Sequence, residues 1–103
     1  MNFINLTPHP IVMNDGRVFE PSGVIPRVQQ TMSDFDGNDI AIQSFGEVEN
    51  MPSAKADTVY IVSAMVLSAL GKDRMDCVAP ATNHPKTIRN DKGHIVSVPG
   101  FVR

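Results

Sequence analysis

Three histidines, a single cysteine and a few well-separated serines and aspartates are the residues of this 103-residue chain with chemistry to offer. His9, His84 and His94 come first as metal ligands or bases. No two share the i, i+4 spacing that places a pair on one helix face, and Cys77 is the sole thiol, so a closed zinc site would have to be gathered from distant loops. No metal site is expected. His9 and His84 each precede a proline, which holds their backbones extended and makes turn residues of them as readily as ligands. Asp34, Asp36 and Asp39 in "SDFDGND" offer oxygen ligands, but the distal bidentate acid and flanking helices of a calcium loop are missing, so a solvated turn is expected. A hydrolase triad can be drawn from Ser63, His9 and Asp76, yet "VSAM" lacks the glycines of a nucleophile elbow. "GKDR" at Gly71 lacks the upstream glycine and the Ser/Thr of a phosphate loop. No catalytic residue and no cofactor is assigned, and Cys77, followed by "VAP", reads as a buried thiol.

Binding chemistry fares better. A strand that runs into a helix turns unpaired amides outward, an arrangement that favours anions, and Ser63 stands at such a junction. The reading that needs no ligand is a serine capping its own helix. If Arg74, Lys86 and Arg89 converge on Ser63 beside the Thr7–His9 bend, the six form a shallow anion-accepting groove. The expected ligand-binding residues are therefore Thr7, His9, Ser63, Arg74, Lys86 and Arg89. The charge distribution agrees: residues 1–70 carry a net −5 and residues 71–103 a net +3. That excess is too small for duplex nucleic acid, whose affinity comes from neutralising many phosphates at once, but it suffices for a small phosphate-bearing ligand such as a nucleotide.

The length allows one domain, residues 1–103, and a 42% hydrophobic content with no polar tract argues for a folded unit. No apolar run approaches the roughly 20 residues that span a bilayer, and the start lacks the pattern of a secretory signal, so a cytoplasmic protein without a membrane partner is expected.

The elements that must position these residues are mostly strands. Asn2 to Leu6 and Ile11 to Met13 read as extended, with Pro8 and Pro10 in "NLTPHP" confining that segment to a kinked sheet edge. "NDG" at Asn14 predicts a hairpin into "RVFE". "VIPRVQQTM" and "IAIQSFGEVEN" read as strands either side of the aspartate-rich turn, the second half-buried with Ile40 and Ile42 on one face. Thr58 to Val62 reads as a buried strand. Ser63 then caps a helix over Ala64–Leu70 that Gly71 stops, and Met65, Leu67, Ala69 and Leu70 are expected to pack on the sheet. "RMDCVAP" resumes strand, "ATNHPK" is a loop, and the remainder forms a hairpin turning at Asn90 to Gly93. The predicted fold class is α+β: a mostly antiparallel curved sheet or small open β-barrel with one short helix.

The set "FINLTPHPIVM", "PSG", "FGEVENMP", "YIVSAMV", "RMDCVAP" and "GHIVSVPGF" resembles, in order and over nearly the whole chain, a family of small proteins encoded by tailed phages and prophages. The resemblance implies a genomic setting more than a mechanism, and no functional residue is carried over from it. In that setting the chain is expected to be an accessory protein of the host-cell cytoplasm that acts by binding. It would hold a nucleotide, in one form sequestering a host signalling nucleotide, or cover a host protein in an anti-defence role. A structural or assembly protein of the virion is the alternative, and a small hydrolase the third. Exposed edge strands also provide a route to a homo-oligomer.

Overall fold

The computed structural model describes residues 1–71 and 74–103; Lys72 and Asp73 of "GKDR" lie outside the described residues. Among the described residues ten strands and one helix follow one another, and the strands divide among four sheets. The central one has the order β1-β6-β7-β10, formed by β1 (Asn2–Asn5), β6 (Thr58–Ile61), β7 (Cys77–Pro80) and β10 (Phe101–Val102). The other three are two-stranded: β2 (Ile11–Val12) with β3 (Val18–Phe19), β4 (Arg27–Met32) with β5 (Gln43–Glu49), and β8 (Ile88–Arg89) with β9 (Ile95–Ser97). The class is α+β, as the sequence predicts, and the described strands close no barrel. Antiparallel pairing holds for the three ribbons and for β10 on β7, but β1 pairs β6, and β6 pairs β7, in parallel. The antiparallel expectation therefore fails at the centre of the protein. Strand and helix types can be read locally, whereas the direction in which a strand pairs depends on where the chain goes between pairings.

The central strand explains the arrangement. "TVYIV" is apolar on both alternating faces, which suits a strand covered on both sides. Val59 and Ile61 meet Ile11, Met13, Val78 and Val98 on one face, where Phe3, Phe19 and Phe101 close the cluster. Tyr60 and Val62 meet Leu6, Val66 and Cys77 on the other, beneath the helix. The helix α1 (Ala64–Leu70) connects β6 to β7, as parallel neighbours require. Ser63 caps it, its Oγ accepting from the Val66 N–H at 3.3 Å. Gly71 ends it with a positive φ of 58°, its N–H bonding back to Leu67 O. Val66, Leu67 and Leu70 pack inward, whereas Met65 and Ala69, expected on the packed face, are exposed. With only seven residues, the face is set by how β6 delivers the chain into the first turn.

The hairpin turns stand where the sequence places them. Asn90 Oδ1 accepts from the Lys92 and His94 amides in the β8–β9 turn, and Asp36 Oδ1 accepts from the Asn38 and Ile40 amides at the β4–β5 tip. "SDFDGND" is thus a turn held by its own aspartate.

The overall shape is extended. A radius of gyration of 16.1 Å exceeds the roughly 13 Å of a compact chain of this length. The β4–β5 ribbon accounts for the difference, since its residues are exposed apart from Val28 and Val48 near its base. The half-buried pattern at Ile40 and Ile42 meets no cover within the chain, and both side chains are exposed.

Candidate functional site

Because β1, β6 and β7 are parallel, their C-terminal ends lie along one edge of the central sheet. "NLTPHP" leaves β1 there, Ser63 leaves β6, and Ala81 to His84 leave β7. In sheets of parallel strands this is the edge at which strand ends and loops leave room for ligands.

The Thr7–His9 bend is built around Asn5, only 2% exposed. Its Nδ2 donates to His9 O at 2.8 Å and to Phe19 O at 2.9 Å, while its Oδ1 accepts from the Thr7 N–H at 2.9 Å. Thr7 Oγ1 lies 2.6 Å from Asn5 Oδ1 and 3.0 Å from His9 O, so its one proton is held within the bend. This single buried amide ties the end of β1 to β3 and fixes the kink for which the prolines prepare the chain. Sequence reasoning missed Asn5 as the organiser. An Asn two residues before a Thr in a proline-rich bend was the available signal, because its amide can close a local turn.

Beside that edge, a crevice of about 460 Å³ opens between α1 and the chain leaving β7. Leu67, Ala79, Pro80, Ala81 and Val102 supply an apolar floor, and Thr82 and His84 stand among its walls. Arg89 reaches this wall: its Nη2 donates to Thr82 O at 3.0 Å and its Nη1 to Gly93 O at 2.9 Å. Lys86 stands two residues after His84 in the loop, its amide donating to His84 Nδ1 at 3.1 Å, while Asn14 anchors the Lys86 carbonyl at 2.8 Å. Arg89, bonded to Thr82, thus gives the apolar crevice a cationic margin beside His84, with Lys86 two residues beyond that histidine. The sequence leaves His84 as readily a turn residue as a ligand; it stands in a turn, and its position shortly beyond a parallel strand also makes it a wall of the crevice.

The six expected binding residues are divided between the two ends of the sheet. Thr7, His9 and Ser63 lie at the C-terminal strand edge, and Lys86 and Arg89 flank the crevice there. Arg74 does not join them. It precedes β7, at the opposite end of the sheet, where it makes a two-pronged contact with Asp76 at 3.0 Å and lies over the Tyr60 ring. The parallel course of β6 and β7 requires this, since the stretch before one strand and the stretch after its neighbour lie at opposite ends. The same geometry separates Ser63 from Asp76, so the imagined Ser63–His9–Asp76 triad is not assembled. The Ser63 hydroxyl faces its own helix.

At that opposite end, the Arg74 hydrogen bonds hold the Asp76 carboxyl below its ordinary range, and Asp76 in turn raises Arg74. Burial, reinforced by the neighbouring Asp76 carboxylate, pushes the Cys77 thiol up to about 11. Cys77 is buried, as its setting predicts, and is held in its neutral form. Among the described residues no three of His, Cys, Asp and Glu gather in a ligand cluster, and no helix is long and apolar enough to cross a membrane.

No family model, curated protein or solved structure matches the chain.

Proposed function

We propose that the chain is a phage or prophage accessory protein that acts by binding, taking a small phosphate-bearing ligand such as a nucleotide at the C-terminal edge of its parallel strands. The observation that carries this reading is an apolar crevice lined by Thr82 and His84, with the Arg89 guanidinium bonded to the Thr82 carbonyl and Lys86 two residues beyond His84. An apolar floor of Leu67, Pro80 and Val102 suits a planar ring, while the cationic margin suits the phosphate attached to it. The groove is narrower than the sequence suggests. Arg74 is replaced by His84 and Thr82, and Ser63 contributes by ending β6 rather than by touching the ligand. The same reading takes the central sheet as curved, its two edge strands drawn together where Phe3 and Phe101 stack with ring centroids 5.5 Å apart. Binding of this kind suits a protein that withdraws a signalling nucleotide from the host cytoplasm.

Calorimetry against nucleoside monophosphates, triphosphates and cyclic dinucleotides tests the reading. At least one class is expected to bind, and Lys86→Ala with Arg89→Ala to weaken it by about tenfold or more, as the loss of a charge-assisted hydrogen bond implies. Arg74→Ala leaves the affinity unchanged. Absence of binding across the panel, or equal binding by the double variant, rejects the crevice as the site.

A further inference from the structure

Among the described residues the β4–β5 ribbon is a two-stranded sheet with both outer edges unpaired, an arrangement of marginal stability in water unless further strands or a packed layer support it. Natural proteins guard such edges with Lys or Pro. Residues 27–50 contain neither, and the β4 edge carries Gln29, Gln30, Thr31 and Met32 into solvent. The ribbon is two-faced: Val28 opposite Val48, Gln30 opposite Phe45 and Met32 opposite Gln43 lie on one face. Helix α1 meets this face only near its base, leaving Met32 64% and Phe45 53% exposed.

We propose that β4 pairs antiparallel with β4 of a second copy about a two-fold axis through Gln30, joining two ribbons into one four-stranded sheet. The hydrogen-bond alternation allows this register, and the apolar pairing it creates selects it among those the free edge permits. Ser33 N–H donates to Ile42 O, so Ser33 and Thr31 face β5, while Gln30 and Met32 turn their N–H and C=O groups to the free edge. With Gln30 on the axis, Val28 of each copy falls opposite Met32 of the other, and the exposed methionine gains an apolar neighbour on its own face. Arg27 then stands opposite Ser33 of the second copy and diagonal to its Thr31. It is the one cation between residues 27 and 50, where the acids are Asp34, Asp36, Asp39, Glu47 and Glu49. Pairing through β5 would instead bring the Glu47 and Glu49 strands together, so charge favours β4. One strand carries the free edge and the apolar pair, both self-complementary under one two-fold axis, as an isologous contact requires. The proposal is independent of the ligand crevice.

Sedimentation velocity on the full chain tests it, with circular dichroism confirming the fold of each variant. The protein is expected to be a dimer. Gln30→Pro removes an N–H that faces away from β5 and is expected to weaken dimerisation about thirtyfold, for the loss of two hydrogen bonds across the axis. Met32→Ala removes the apolar neighbour of Val28 on both sides of the axis and is expected to weaken dimerisation about fivefold. A monomeric protein overturns the proposal. So does a dimer that Gln30→Pro or Met32→Ala leaves intact.

Discussion

β5 and β6 follow each other in the chain and read alike as β-forming segments, yet they belong to opposite regimes. Every residue of β6 is buried, with Tyr60 and Ile61 at 1% and 0% exposure, whereas β5 keeps only Val48 partly covered. β6 gains apolar neighbours on both faces and pairs on both edges. β5 has one paired edge and one face that the helix covers only near its base. Strand propensity alone therefore says little about how much a strand contributes to stability; that depends on the layers and edges around it.

The sharpest way to break this contrast is to truncate an apolar residue within β6 and the one that leads into β5. Ile61→Ala should destabilise the fold by about 2–5 kcal/mol in denaturant unfolding, because its site is enclosed, whereas Ile42→Ala should change stability by less than about 0.5 kcal/mol. Equal losses would show that the ribbon is packed as firmly as the core. Asn5→Ala comes next, at about 2–3 kcal/mol, since it strands the Thr7 amide and the His9 and Phe19 carbonyls at a buried edge. The melting temperature reads this loss directly, and a neutral result would mean that the prolines alone hold the bend. Ser63→Ala should cost about 1 kcal/mol, the ordinary worth of a helix cap, and Ser63→Asp should recover most of it.

Smaller still is the contribution of Asp76. Its folded pKa is depressed, so its stabilisation is present above the unfolded value of 3.8 and is lost as pH falls through the lower folded value. The pair is partly exposed, at 21% and 20% for the two side chains, so the loss should stay within about 1 kcal/mol. Asp76→Asn should abolish that part of the acid dependence of unfolding. Cys77 sharpens the contrast by kinetics. With its thiol raised to about 11, iodoacetamide at neutral pH should label the native protein no faster than the core opens, and a cysteine placed at Thr31 should label at the rate of a free thiol unless a second copy covers it.

Local signals named most of the elements. "NDG", "SDFDGND" and "NDKG" carry Asx-type turns whose bonds lie within a few residues, and Ser63 and Gly71 bound the helix for the same reason. The run from Thr58 to Val62 announced its own burial because an apolar residue stands at every position after Thr58. The candidate site was only half readable. Lys86 and Arg89 were marked by charge, but His84 became a wall, and Arg74 was excluded, only through the strand directions. Met65 and Ala69 were misplaced because a seven-residue helix gives its periodicity too few turns to choose a face.

What the sequence determined by itself is therefore the set of elements, their caps and turns, the buried central strand and the separation of acidic and basic halves, all of which follow from interactions among near neighbours. Only the tertiary structure decided that β1, β6 and β7 run parallel, that Asn5 ties the proline bend to a distant strand, and that the β4–β5 ribbon stands clear of the core. Those depend on which distant segments meet, and the free energy of such meetings rests on buried area and paired edges that no short window of residues contains.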